Sequence, residues 1–190
     1  MKKTMGQLKI NIIGGQIINR VLANADDVFE KRGTIVAKTI SSGFINDEDI
    51  VYNNYRTNID ERRVTKENDI VIKITPPFAA ALVDKNHENL LVSSFCMILN
   101  GLPNEILPEY LTAYLNSDDG VKQVTSHMAG STISTINVAS LKNIVIPVPS
   151  LEKQKLISEA FLKYLNNIEL SKKLVSLSKE KIEALIAEDE

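Results

Sequence analysis

The longest regular pattern of the chain lies in its last forty residues. Apolar or small residues recur at Ile157, Phe161, Tyr164, Ile168, Ser171, Val175, Ser178, Ile182 and Leu185, in alternating steps of four and three. That spacing is the repeat of a coiled-coil seam, and Leu165, Leu174 and Ile186 widen it. The pattern predicts one helix from about Leu151 to Ala187, about 55 Å long at ~1.5 Å per residue, which is more than a domain built from the preceding residues can cover. Its start is well marked. Ile144, Val145 and Ile146 favour a strand, Pro147 and Pro149 cannot continue a ladder, Ser150 can cap a helix, and Glu152 suits the positive first turn. Ser171 and Ser178 weaken a simple two-stranded zipper but allow another helix to approach closely. The plainer alternative is a terminal helix packed on its own domain.

Upstream, β-branched and apolar runs predict strands at residues 16–22, 34–38, 69–74, 79–83, 90–99 and 143–146. Helices are predicted at 108–116 and 119–128, the first with Pro108 in its first turn and Tyr110, Leu111, Tyr114 and Leu115 on one face. The polar stretches SSGFINDED (41–49) and YNNYRTN (52–58) are expected as loops. The fold class is therefore α+β.

Length allows one compact unit plus an appendage. The chain has 190 residues, 44% of them hydrophobic and 24% charged, which suits a domain at residues 1–150 and a helical segment at 151–190. Lys2 and Lys3 resemble the start of an export signal, but Gln7, Lys9 and Asn11 interrupt the apolar stretch that follows, so a cytoplasmic location is expected. The single cysteine, Cys96, sits in the apolar run LLVSSFCMIL and is expected to be inert core. Charge argues against nucleic acid: 22 Lys and Arg against 24 Asp and Glu give a net charge of −2, whereas a duplex binder usually carries a basic excess. The objection is met only if basic residues gather on one face. Arg56, Arg62, Arg63 and Lys66 are the best group, with Lys73 nearby and Lys31, Arg32 and Lys38 upstream, although Asp60, Glu61, Glu67 and Asp69 interleave with them.

The junction before the long helix carries a resemblance. Gly130-Ser131-Thr132, then Leu141-Lys142-Asn143-Ile144-Val145-Ile146-Pro147-Val148-Pro149, then Glu152-Lys153-Gln154 and a long helix resemble the close of the target recognition domains in specificity subunits of type I restriction–modification systems. Those domains end with a glycine and small hydroxyl residues, a Leu-x-x-Ile-x-Ile-Pro-x-Pro strand, a Glu-Gln-like pair and a long helix. Lys153, inserted in that pair, is a departure. LPEYLTAYLNSDDG (107–120) is similar to the helix that precedes the glycine segment. ENDIVIKI (67–74) is similar to a Gly-Asp-Ile-Leu strand, with Asn68 in place of glycine. The resemblance covers the chain from about residue 60 onward. It implies a mixed-sheet target recognition domain followed by one long C-terminal coiled-coil helix, about half of the family's usual tandem plan. It also implies double-stranded DNA as ligand, a methyltransferase subunit that brings S-adenosylmethionine, and a restriction (motor-nuclease) subunit. The half-length form implies pairing as a homodimer or with the helix of a second recognition domain. The seam residues Ile157, Phe161, Tyr164, Ile168, Val175, Ile182 and Leu185 are the expected partner surface.

If the chain reads DNA, the chemistry concentrates in the polar loops. Arg can chelate guanine, Asn can chelate adenine, and Ser, Thr or Tyr can contact base edges or phosphates. Tyr52, Asn53, Asn54, Tyr55, Arg56 and Asn58 are the first candidates, joined by Arg62, Arg63 and Lys66, by Lys38 with Ser41 and Ser42, and by Ser131 and Thr132. An ordinary polar turn is the alternative reading of YNNYRTN. A structural crossover is the alternative for the Gly-Ser-Thr segment.

Catalysis finds little support. TPPF (75–78) resembles the Asp/Asn/Ser-Pro-Pro-aromatic motif of amino-methyltransferases, but Thr75 is a poor acceptor for an amine, and Gly14-Gly15 lacks the spaced third glycine of a cofactor turn. A bend between two strands is the simpler reading. His87 and His127 have no ligand partner at metal spacing. The sequence thus reads as a non-catalytic DNA-specificity subunit that serves one half-site of a bipartite target. The alternative is a regulatory or structural protein that pairs through its helix with a methyltransferase or specificity subunit without reading DNA itself.

Overall fold

The computed structural model describes residues 1–126 and 135–187. Among the described residues, nine strands run in the order β1 (Lys2–Thr4), β2 (Asn11–Gly14), β3 (Phe29–Ile35), β4 (Val51–Arg56), β5 (Ile70–Lys73), β6 (Ala80–Leu82), β7 (Leu91–Val92), β8 (Cys96–Asn100) and β9 (Val145–Pro147). Helices α1 (Pro108–Leu115), α2 (Asp118–Ser126) and α3 (Val138–Lys142) lie between β8 and β9, and α4 (Leu151–Ala187) follows.

The central layer is a four-stranded antiparallel sheet ordered β2-β8-β5-β6. Its inner strands are apolar on both faces because both faces are covered. Ile70, Ile72, Met97 and Leu99 point into a core shared with Leu111, Leu115, Leu141, Ile144 and Ile146. Val71, Cys96 and Ile98 point the other way, toward Ile35, Ile40 and Ile45. Burial pushes the Cys96 thiol up to about 12, which leaves it protonated and unreactive. Pro76 and Pro77 form the bend between β5 and β6.

A second sheet, ordered β4-β3-β7, lies beyond the Ile35 core. β3 pairs antiparallel with β4 and parallel with β7. Its underside covers a small cluster of Tyr55, Ile59, Val64 and Leu91, with Ile18, Val21 and Leu22 against it. Residues 21–23 follow the outer edge of β4: Arg56 N–H donates to Val21 at 2.9 Å, and Ala23 N–H donates to Asn54 at 3.1 Å.

The junction to α4 is built from both ends of the domain. β9 pairs with β1, and on α1 the hydroxyls of Tyr110 and Tyr114 donate to the carbonyls of Pro147 (2.6 Å) and Val145 (2.9 Å). The Ser150 hydroxyl accepts from Lys153 N–H at 3.3 Å, as a capping residue should. One turn later, Gln154 is completely buried. Its Oε1 accepts from Leu107 N–H at 3.0 Å, and its Nε2 donates to the carbonyls of Glu105 (2.8 Å) and Pro149 (3.1 Å). That amide rivets the first turn of α4 to the segment before α1.

Four expectations need correction. YNNYRTN is a loop only at Thr57 and Asn58: residues 51–56 form β4, hidden in the sequence because Tyr55 is its one buried side chain. Residues 16–22 are not a strand; Ile18–Arg20 is a 3-10 turn whose apolar neighbours seal the Tyr55 cluster, and the strand lies upstream at β2. The run 90–99 is broken at residues 93–95 into β7 and β8, which join different sheets. The strand expected at 34–38 ends at Ile35, where Ala37–Thr39 forms a 3-10 turn. Ser131, Thr132 and His127 lie outside the described residues, as does the end of the helix expected at 119–128.

Candidate nucleic-acid interface

β3 and β4 form a ribbon whose two faces differ in character. Strand parity puts Glu30, Arg32 and Thr34 with Val51, Asn53 and Tyr55 on one face, and Phe29, Lys31 and Gly33 with Tyr52, Asn54 and Arg56 on the other. The first face is internally satisfied. The Tyr55 hydroxyl pairs with Thr34 Oγ1 and accepts from Asn53 Nδ2 at 3.3 Å. The Arg32 guanidinium meets Glu30 at 2.6 Å and Glu61 at 3.4 Å.

The second face has three rows; the first two look outward, and in the third Tyr52 is exposed while Gly33 is buried against Leu90 and Ile50. Phe29 lies opposite Arg56, Lys31 opposite Asn54, and Gly33 opposite Tyr52. Position 33 must be small: a Cβ there would come within 2.7 Å of Leu90, 2.9 Å of Ile50 and 3.1 Å of the Tyr52 ring. Tyr52 is 58% exposed and Phe29 is 52% exposed. Among the described residues, the side chains of Lys31, Tyr52 and Asn54 have no partner within the protein. Arg56 is different. Its Nε donates to Asp27 at 3.1 Å. The Asn24 N–H, and then Arg56, hold the Asp27 carboxyl below the usual carboxylate range.

The remaining predicted residues scatter. Tyr55 is fully buried and is a core residue, not a DNA contact. Arg62 donates through Nε and Nη2 to both oxygens of Asp60, each at 2.9 Å. Arg63 divides its guanidinium between Asp60 and the Gly15 carbonyl, which makes it a tie between the 3-10 turn at Glu61–Arg63 and the end of β2. The Arg62 guanidinium, its backbone N–H and Arg63 together hold the Asp60 carboxyl far below the ordinary range. Lys66 is exposed, its backbone N–H donates to Asp69 at 2.9 Å, and its charge acts on the Asp69 carboxyl. Lys38 pairs with Asp49 at 3.0 Å, and the Ser41 hydroxyl accepts from Asn46 at 2.8 Å. Both lie in the β3–β4 connection, whose tip leans on α4. The expected basic group is thus largely neutralised by its own carboxylates, and the outward ribbon face brings together only Tyr52, Asn54 and Arg56 of the predicted set.

The seam of α4 also divides. Ile157 packs on the domain core. A Cβ on Gly43, which sits at φ +108°, would come within 2.5 Å of Leu165 and 2.7 Å of Phe161. Lys172 donates to Asn46 at 3.2 Å and lies 4.1 Å from the centre of the Phe44 ring. Ile157 and Phe161 therefore serve the helix's own domain rather than a partner, because the root of α4 lies across the 43–46 turn. From residue 173 to 187 every position is exposed, Val175, Ile182 and Leu185 among them, and Tyr164 is exposed nearer the root. At ~1.5 Å per residue this free stretch is about 22 Å long.

The description "Type I restriction modification DNA specificity domain" belongs to a family model that matches residues 15–179. The chain belongs to this family. A curated relative, the type I restriction enzyme StySPI specificity subunit of Salmonella potsdam, is 30% identical over 128 residues, covering 66% of this chain and 27% of that subunit. Three solved structures share the fold. A chain from a study of complex assembly and conformational transition in the type I R-M system aligns over 97% of this chain with a TM-score of 0.61 and 13% identity. The HsdS subunit from Thermoanaerobacter tengcongensis and the type I S subunit from M. genitalium each give 0.57, over 92% and 93% of this chain, at 12% and 14% identity. The α+β domain with its long terminal helix is thus the specificity-domain fold. The chain spans about a quarter of the curated relative (27%) and about two-fifths of the solved chains (43%, 39% and 41%).

For this specificity domain, the register adds Phe29, which the sequence did not single out, and joins Lys31, expected only as an upstream cation, to Asn54. Phe29 and Lys31 join the outward face only because β3 pairs with β4. The available signal was the parity of Tyr55, since one buried aromatic sorts every neighbour on its strand. Among the described residues, no helix is long and apolar enough to cross a membrane.

Proposed function

We propose that this chain is a DNA sequence-specificity subunit of a type I restriction–modification system, reading one half-site of a bipartite target. Residues 1–150 are the recognition unit, and 151–190 pair it with a second copy or with another recognition domain's helix. The chain is non-catalytic. A methyltransferase subunit would bring S-adenosylmethionine, and a motor-nuclease subunit would complete the restriction complex. The observation that carries the reading is the outward β3–β4 face, where Tyr52 and Asn54 stand exposed and unpaired in a domain of this family. Hydrogen-bonding side chains left without partners on a surface are what base recognition requires.

A second reading rests on charge. Arg32, Arg56, Arg62, Arg63 and Lys38 all face carboxylates, which favours a protein that pairs through α4 without reading DNA. Selection of bound duplexes from a random library, using the full chain alone and with the methyltransferase, separates the two. Recovery of a consensus supports the first reading. Complex formation with no enrichment of any sequence supports the second.

A further inference from the structure

The outward ribbon face has a defined spacing as well as a composition. Successive rows are two residues apart, about 6.6 Å at ~3.3 Å per residue. Three rows therefore span about 13 Å, close to four base-pair steps of ~3.4 Å. A two-stranded ribbon fits the major groove of B-DNA, which is about 12 Å wide and displays a distinct donor and acceptor pattern for each base pair. The described helices offer no comparable surface. α1 is largely buried, α2 opens with Asp118 and Asp119, α3 has five residues, and the free part of α4 is apolar along its stripe.

Within the ribbon the three rows are not equivalent. The Phe29–Arg56 row is tied down by Asp27, and the Tyr52 ring lies over Gly33. The middle row holds Lys31 and Asn54 directly opposite each other, both exposed and both without a partner inside the protein. Directly opposed side chains start ~5 Å apart, so they reach the same or adjacent base pairs. An amide side chain can donate to N7 and accept from N6 of adenine. An ammonium can donate to N7 and O6 of guanine.

Resting on the reading that the chain recognises DNA, we propose that the β3–β4 ribbon lies in the major groove and that its middle row determines specificity, Asn54 reading an adenine and Lys31 a guanine beside it. Arg56 and Tyr52 flank the row. Lys31 is assigned a base contact because it lies in the middle row directly opposite Asn54, and the Lys31→Thr arm below separates that role from a phosphate contact.

The test uses the full chain with its methyltransferase and a random duplex library, comparing wild type with Asn54→Thr and Lys31→Thr. Threonine suits an exposed strand position, so melting temperatures should match wild type. The proposal expects a wild-type consensus containing an adjacent adenine and guanine. Asn54→Thr should lose preference at the adenine alone by about tenfold or more, and Lys31→Thr at the guanine alone by a similar factor. Three results overturn it. Identical consensus in all three proteins, with wild type selective, moves the reading surface elsewhere and leaves DNA recognition intact. A Lys31→Thr protein that binds every sequence more weakly, with a shallower salt dependence and unchanged consensus, makes Lys31 a phosphate contact. A wild-type complex that selects no sequence removes both the ribbon proposal and the DNA reading beneath it.

Discussion

Gln154 is the side chain whose loss should matter most to how α4 leaves the domain. Its amide is fully buried and makes three hydrogen bonds to backbone groups of Leu107, Glu105 and Pro149. Gln154→Leu keeps most of the volume but orphans one N–H and two carbonyls. A buried unsatisfied group costs ~1–3 kcal/mol, and carbonyls near the surface recover part of that from water, so a loss of about 3–5 kcal/mol is expected. For a chain of this size ~1 kcal/mol corresponds to roughly 2–4 °C, giving a fall in melting temperature of about 10 °C or more. Urea unfolding followed by circular dichroism measures the free energy, and thermal scans give the midpoint. A loss below ~1 kcal/mol would refute the role of the amide as the rivet of the helix. Gln154→Glu adds a sign to the test. A carboxylate can accept from Leu107 N–H but faces two carbonyl oxygens, so burial and those dipoles raise its pKa above the unfolded value of ~4.3. Stability contributed by a group with a raised folded pKa is present at low pH and lost as pH rises through that value. The Glu variant should therefore lie closer to wild type near pH 4 than at pH 8.

Other outcomes follow from the same contacts. Gly43→Ala puts a Cβ within 2.5 Å of Leu165 at a positive φ and should cost ~1–3 kcal/mol in unfolding experiments, loosening the root of α4. Truncation after Lys172 keeps every described contact between α4 and its domain and should convert a dimer to a monomer in light scattering; equal masses for the two forms would end the pairing proposal. Deleting residues 175–181 leaves the Lys172 contact in place and shortens the arm by about 10 Å, so the preferred spacer between half-sites should contract by roughly three base pairs in methylation assays while the half-site bases stay the same. Asp60→Asn removes a carboxylate whose folded pKa is depressed by Arg62 and Arg63. Such a group stabilises above its unfolded pKa and loses that effect as pH falls through the folded one, so wild type should exceed the variant in stability at pH 7, with the gap narrowing in strong acid.

What the sequence disclosed depended on how many faces of each element are buried. β5 and β6 were legible because apolar side chains recur on them, and α4 was legible from its heptads and the Pro-Val-Pro stop. β4 was not, since Tyr55 alone is buried and alternation cannot be seen in one residue. β1 was invisible for a different reason: Lys2, Lys3 and Thr4 become a strand only because β9 returns to pair with them, and no local pattern encodes that closure. The candidate site was half legible. Tyr52, Asn54 and Arg56 were identified as useful chemistry, but without strand parity Tyr55 could not be separated from them. Lys31 could not be joined to Asn54, because the two meet only through register. The cations were countable from sequence, but not their neutralisation, which depends on which carboxylate lies within 3 Å or so of each.

The two faces of the β3–β4 ribbon share a backbone and almost nothing else. Thr34, Asn53 and Tyr55 hold the sheet from beneath through their own hydrogen bonds and packing, while the side chains of Lys31 and Asn54 have no partner among the described residues. Substitutions at these two positions therefore start nearly free of a folding penalty, unlike those at Gly33 or Arg56 on the same face. On the proposed reading of this face, single substitutions at Lys31 or Asn54 would move the protein from one target to another with each intermediate still folded.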